Sequence, residues 1–528
     1  MRRTTVCFIA AGVAVLTTSA LASRQRPETF DIIIRGGAIL DGTGAAAVQG
    51  DIAVLDGRIV AVGAIPATAN AARTIDATGA TVAPGFIDVH SHAAEGLAGR
   101  MADAMPLLAQ GVTTVFVNPD GGGPLDLAAQ RQAMETKGVG VNVGQFVPQG
   151  SIREKVIGLA DRPPTGAELS RMEHLVDEAM KSGGLGLSTG LYYTPGSFAK
   201  TDEIVALAKV AARSGGVYSS HIRDEADYSI GVVAAVDEVI RIAADARIRA
   251  VVSHMKALGP ANWGKSAELV EHIERARANG LDVFADQYAY EASGTSVVAA
   301  LVPRWAEAGG RTAMLQRLDG TDGPRLRAAI AENMARRGGA DTLIVSDYAP
   351  DHSLEGQSLA AIATARSTLP VDLVVSLIHR ADAALISFNM SDDDIIRIMR
   401  QPWTMTCSDG DLTPPGQGKP HPRGYGAFAR KLAVYVRDRH VIDLPEAVRS
   451  MTSLPAAVFG LRDRGLIRPA AIADVVVFDP ARVQDRATYL DPQQPAAGVT
   501  AVLVNGVLAF EDGIATSVRA GQFVRPER

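Results

Sequence analysis

The chain has 528 residues, room for one very large domain or two to three ordinary ones at roughly 100 to 200 residues each. It is 47% hydrophobic, 21% charged and 5% aromatic with 52 glycines, a globular composition that excludes a disordered, collagen-like or coiled-coil chain. A formal net charge of −6 supplies no basic field to hold nucleic acid or an anionic membrane.

The chain begins MRRTTVCFIAAGVAVLTTSALA, in which Arg2 and Arg3 precede an apolar run from Val6 to Leu16 and the small-residue ending Ala20-Leu21-Ala22. This is the layout of a secretory signal over residues 1–22, cleaved after Ala22, and it predicts an exported, periplasmic or secreted protein. A membrane anchor is the rival reading. The apolar run is shorter than the ~20 residues a span requires, so no stable membrane insertion is expected. Cys7 leaves with the signal and Cys407 alone remains, which precludes an intrachain disulfide in the mature chain.

Short apolar runs follow, with Asp56-Gly57 as a hairpin turn, and the same texture returns in ADVVVFDP (473–480) and VTAVLVNGVLAF (499–510), with Asn505-Gly506 as the turn. One small β domain built from residues 23–84 plus 462–528 is therefore predicted. From 85 to 461 strands alternate with helix-like stretches, and eight strand candidates lie at 85–92, 111–118, 139–147, 184–190, 216–222, 250–257, 281–288 and 404–411. The amphipathic segments 169–183 and 266–280 each close on a glycine suited to a left-handed cap. The fold class expected is α/β: a TIM (β/α)8 barrel, a small β-sandwich domain from both chain ends, and an insertion at about 291–370 before the last barrel strand.

Four of the ten histidines fall at the C-terminal ends of predicted barrel strands, where this architecture places its chemistry. In Asp88-Val89-His90-Ser91-His92 the period of two aims both imidazoles to one side, close enough to share a cation. His221 ends the fifth strand, His254 the sixth and Asp409 the eighth. Any one of these fits a satisfied core histidine or carboxylate. The ordered set does not, because several unpaired polar groups would then be buried together.

This set, with GFIDVHSH, GLSTGLYYTPG, SSHIRDE, SHMKALG, DQYAYEASGT, SDGD and HPRGYGAF, resembles the metal-dependent amidohydrolase superfamily and, over nearly the whole mature length, its N-acyl-D-amino-acid deacylases (D-aminoacylases). The resemblance implies one or two zinc ions: His221 and His254 at a tight site, His90 and His92 at a second, Asp409 as the catalytic carboxylate. It implies a small substrate with a free carboxylate, met by Lys256 and Arg423, with Tyr193 and Tyr288 beside it. The expected activity is hydrolysis of the amide of an N-acyl-D-amino acid or a D-residue peptide. Hydantoinase-like cyclic-amide hydrolysis, isoaspartyl-dipeptidase-like cleavage and a catalytically silent binding protein are the rival readings, and the oligomeric state stays open.

Two positions depart from the family pattern. Where those deacylases carry a cysteine after the second strand, this chain reads Val117-Asn118-Pro119-Asp120-Gly121. Asp120 is either an oxygen ligand in place of a thiolate or a turn residue. Six residues after Tyr288, where a serine is expected, stands Gly294. Lys256 has a rim salt bridge as its alternative, and Arg423 a solvated loop position. Asp88 either orients a ligand histidine or is simply buried and hydrogen-bonded, and Cys407 reads as a small buried hydrophobe.

Overall fold

The computed structural model describes residues 29–526, so the predicted signal lies outside the described residues. Both chain ends enter one nine-stranded sheet. Its seam is the antiparallel pairing of Thr81–Pro84 with Val475–Phe478, which sets Ala83 opposite Val476. Ile32, Ile34, Ile52, Val54, Val475, Val477 and Leu503 fill the core on one face of this sheet. The two predicted hairpin turns form as the dipeptides require, with φ of 50° and 75° at Asp56 and Gly57 and 51° and 81° at Asn505 and Gly506. The turns also touch: a Cβ on Gly506 would lie 2.4 Å from the Gly57 Cα.

All eight predicted parallel strands form, in two sheets. Phe86–Asp88, Val112–Val117 and Asn142–Gln145 make one. Val147–Pro148, Gly186–Gly190, Val217–His221, Arg249–Val252, Val283–Gln287 and Thr404–Thr406 make the other. The third predicted strand is thus interrupted at Phe146, whose N–H donates to the Val117 carbonyl. Backbone bonds join the sheets at both borders: Leu185 N–H to Gln145 O at 2.8 Å, Asp409 N–H to His90 O at 2.9 Å, and His92 N–H to Gly410 O at 3.0 Å.

Amphipathic helices separate the strands. Gly166–Lys181 starts on a Thr165/Glu168 capping box, and Ser266–Ala278 follows the sixth strand. The glycines read as terminators adopt φ of 108° at Gly183 and 85° at Gly280. Between the seventh and eighth strands the chain forms an antiparallel sheet of Ser293–Ser296, Leu343–Asp347 and Ala384–Ser387. Helices pack on it around a separate core that includes Leu301, Leu326, Ile330, Val345, Val374 and Leu377. Among the described residues no single helix is long and apolar enough to cross a membrane.

Candidate metal centre

The six residues read as a metal set converge at the C-terminal ends of the parallel strands. His90 and His92 follow Phe86–Asp88, Asp120 lies on the turn after Val112–Val117, His221 ends its strand, His254 follows Arg249–Val252, and Asp409 follows Thr404–Thr406. Three of them hold left-handed backbone, with φ of 54° at Asp120, 36° at His254 and 49° at Asp409. Such residues persist where surrounding structure over-determines them. At His254 the N–H donates to Asp286 Oδ1 at 2.6 Å. At Asp120 the turn is pressed against Gly190, where a Cβ would lie 2.2 Å from the Asp120 carbonyl oxygen.

The Asp120 carboxylate lies among all four imidazoles. Its Oδ1 is 3.4 Å from His90 Nε2 and 3.7 Å from His254 Nε2, and its Oδ2 is 3.5 Å from His92 Nε2 and 3.9 Å from His221 Nδ1. Asp409 Oδ1 stands 3.4 Å from His90 Nε2 and 3.2 Å from His92 Nε2. Two ligands bound to one zinc at tetrahedral angles are roughly 3.3 to 3.6 Å apart, so the shorter of these spacings match co-ligands. Both ring nitrogens of His90 and of His221, and Oδ1 of Asp120, are buried without a hydrogen-bond partner. Buried polar atoms left in this way fit a bound cation, and His90, Asp120, His254 and Asp409 each offer one candidate ligand atom within 4.8 Å of the others.

The charges agree. Burial works against ionisation of Asp120, but His90 and the other imidazoles outweigh it and hold the carboxyl well below the usual range. Burial likewise opposes the charge on Asp409, and Arg423, ahead of the imidazoles, holds that carboxyl low. His92 is lifted to about 10, because Asp120 and Asp409 overcome its burial, so the two carboxylates favour a positive charge at this place, which a proton or a metal ion can supply. His221 is pushed down to about 3, chiefly by burial, and so offers a neutral imidazole lone pair.

Behind His221 and His254 lies a group that the sequence reading missed. Glu225 Oε1 is 2.6 Å from Lys256 Nζ and 3.1 Å from His254 Nδ1, while Oε2 is 3.6 Å from His221 Nε2. Glu225 thus touches the ring edges turned away from Asp120, the placement that orients metal-binding imidazoles. Its place four residues after His221, inside SSHIRDE, was the available signal. Lys256 is 4% exposed, and its ammonium also bonds the His254 carbonyl at 2.8 Å. The structure therefore pairs Lys256 with Glu225, the salt-bridge alternative. Asp88 accepts from Ser408 N–H at 2.9 Å and Ser408 Oγ at 2.5 Å, tying the first strand to the last.

Arg423 is buried, and Nη1 donates to Asp409 Oδ2 at 2.5 Å. Its guanidinium lies 4.8 Å from the centre of the Tyr288 ring. At Gly294 a Cβ would approach Arg423 Nη2 to 3.3 Å, so a side chain there would crowd that edge of the guanidinium. The Tyr193 ring is 4.6 Å from the His221 ring, and its hydroxyl is 3.5 Å from Thr295 Oγ1. Cys407 is fully buried, and burial raises its thiol well above the usual range, as an inert core residue requires.

Residues 73–510 match the amidohydrolase family. The chain is 35% identical over 519 residues to an N-acyl-D-glutamate deacylase of Alcaligenes xylosoxydans xylosoxydans, covering 94% of this chain and 97% of the relative. It is 34% identical over 525 residues to a D-aminoacylase of the same organism, covering 95% and 98%. Among solved structures it is similar to the N-acyl-D-glutamate deacylase of Bordetella bronchiseptica complexed with zinc and a phosphonate inhibitor that mimics the tetrahedral intermediate. The TM-score is 0.82 at 36% identity, covering 94% of this chain and 100% of the other. Sequence, strand order and the cluster of histidines and carboxylates agree: the chain belongs to the amidohydrolase family and has its fold.

Proposed function

We propose that the protein is a zinc-dependent hydrolase of N-acyl-D-amino acids, with His90, His92, Asp120, His221, His254 and Asp409 holding one or two ions. The observation that carries this reading is the buried Asp120 carboxylate facing four imidazoles with Asp409 beside it. Zinc bound there supplies Lewis acidity, which makes water acidic enough to react near neutral pH and polarises an amide carbonyl. Asp409 Oδ1, on the metal side, takes the proton of the attacking water and delivers it to the departing amine nitrogen. Arg423 holds Asp409 by Oδ2 and presents its Nη2 edge, next to Gly294, to the substrate carboxylate. Glu225 and Lys256 keep His254 and His221 aimed at the ion.

The D-configuration is supported by relatives that are deacylases of D-amino-acid derivatives. Closure of the eight parallel strands into a (β/α)8 barrel over 85–461 is supported by the Asp409 to His90 and His92 to Gly410 bonds between its last and first strands. A small β-sandwich domain from 23–84 plus 462–528 is supported by the sheet that both ends share, and the insertion by its separate core. Export rests on the composition of residues 1–22.

The test is hydrolysis of N-acyl-D-amino acids, their L enantiomers, their carboxyl-amidated forms and cyclic amides, with and without a chelator. Chelator-sensitive turnover of the D free acids is expected, with the amidated forms cleaved far more slowly, since a charge-assisted hydrogen bond contributes about 1.5 to 3 kcal/mol. Equal cleavage of acids and amides, or a preference for cyclic amides, would overturn it.

A further inference from the structure

We infer that His421 is a positioning residue for the proposed reaction: its neutral imidazole fixes the start of the helix that carries Arg423, and thereby places the guanidinium that receives the substrate carboxylate. The inference rests on the proposed role of Arg423 and concerns what holds Arg423 in place. Both ring nitrogens of His421 are taken by backbone groups. Nδ1 accepts from the Arg423 N–H at 3.1 Å, and Nε2–H donates to the Ala292 carbonyl at 3.0 Å. One nitrogen must therefore be bare and the other protonated, which the neutral Nε2–H tautomer alone provides. A doubly protonated ring would lose the acceptor that Arg423 uses. Burial, and then the nearby Arg423 charge, hold the imidazole well below its usual range.

Arg423 opens the helix Arg423–Arg430, so its N–H belongs to the turn whose amides have no partner within the helix. His421 supplies that partner from two residues upstream. On its other side the helix is pressed against the end of the last parallel strand, where a Cβ on Gly410 would lie 2.5 Å from the Gly424 Cα. Held from both sides, the Arg423 backbone sets where the guanidinium bonds Asp409 and lies over the Tyr288 ring. The bond to Ala292 does a second job. Ala292 precedes the strand Ser293–Ser296, so the same imidazole ties the segment carrying Gly294 to Arg423. The ring is gripped edge-on by Tyr290 and Tyr489, with centroids 5.2 and 5.3 Å away and planes 87° and 78° apart. Tyr489 comes from the C-terminal part of the chain and also meets Phe388, just after Ala384–Ser387, at 4.7 Å. The C-terminal segment thus bears on the residue that sets Arg423, although it supplies none of the six residues of the metal set.

The experiment compares kcat/KM for an N-acyl-D-amino acid with that for its carboxyl-amidated form, in the zinc-loaded full chain and in three variants. An effect that passes through Asp409 falls on both substrates and cancels in the ratio. His421→Phe keeps the ring packing but neither hydrogen bond, His421→Asn keeps an acceptor near Nδ1, and His421→Gln keeps a donor near Nε2. The preference for acid over amide is expected to fall about tenfold or more in His421→Phe and His421→Gln, mainly through a higher KM for the acid, and to stay within about threefold of the parent in His421→Asn. Metal content, read by elemental analysis, is expected to match the parent in all three. An unchanged preference in His421→Phe, a loss in His421→Asn as large as in His421→Gln, or loss of metal would each overturn the inference while leaving the proposed function in place. If His421→Phe does not fold, the His421→Asn and His421→Gln pair decides. A parent that cleaves acid and amide equally would overturn the proposed function, and this inference with it.

Discussion

Glu225→Gln tests how the metal-facing imidazoles are held, because the change keeps the side-chain shape and removes the charge. Glu225 and Lys256 are 6% and 4% exposed by side chain, and their charged atoms are 2.6 Å apart. Neutralising one partner leaves the other buried and uncompensated, which costs about 3 to 5 kcal/mol. The same carboxylate is 3.1 Å from His254 Nδ1 and 3.6 Å from His221 Nε2, and loss of such an orienting partner lowers metal affinity by about 10 to 100-fold. The two effects separate in the double variant Glu225→Gln/Lys256→Met. Removing the orphaned ammonium recovers most of the lost stability but none of the lost metal affinity, since the imidazoles still lack their partner. Thermal denaturation of the metal-free proteins reads the first effect, and competition with a chelator reads the second. If the single variant binds metal as tightly as the parent, Glu225 does not orient the ligands. If the double variant recovers affinity, the loss came from Lys256 repelling the ion.

Asp409→Asn should lower kcat by on the order of a hundredfold or more while the ion at Asp120, His221 and His254 is retained, and it should lower the melting temperature because Arg423 loses its buried carboxylate partner; near-parental kcat would assign the proton transfer elsewhere. Lys431, fully buried against Thr406 Oγ1 and Ser450 Oγ at 2.8 Å each, is pushed down from 10.5 to about 7 by burial. The unfolded chain therefore binds the extra proton between about pH 7 and 10.5, and stability is lost as pH falls through that window, by about 1.4 kcal/mol per unit. Lys431→Met should flatten the rise of melting temperature between pH 7 and 9, and an unchanged profile would show that Lys431 stays charged in the fold.

The parts of the centre that were legible in the sequence are those carried by strand periodicity. A strand projects alternate residues to one side, so His90 and His92 announce a shared face, and His221 is found by being the last residue of its strand. Asp409 and His254 were found by their place after apolar runs, but nothing in the sequence signals their left-handed backbone, which depends on partners such as Asp286, 32 residues beyond His254. Arg423 was named from HPRGYG as a cation for the substrate carboxylate or a solvated loop residue, but its pairing with Asp409, 14 residues away, was not legible. The interruption of the third strand at Phe146 and the satellite sheet reaching Ser387 were equally invisible, since both are set by pairing partners and not by local composition.

Lys256 illustrates the physical limit most directly. Two residues after a ligand histidine, a lysine lies on the same face whether it meets substrate or a neighbouring carboxylate, so spacing alone leaves both readings open. In the structure Lys256 meets the neighbouring carboxylate. At 4% exposure an ammonium needs a fixed partner before any substrate arrives, and Glu225 is that partner at 2.6 Å. Arg423 is also buried and paired, but its guanidinium has several donors, and the Nη2 edge beside Gly294 is separate from Nη1, which bonds Asp409. The planar cation thus keeps donors to spare for the proposed substrate carboxylate, while the compact one is engaged by Glu225 and the His254 carbonyl.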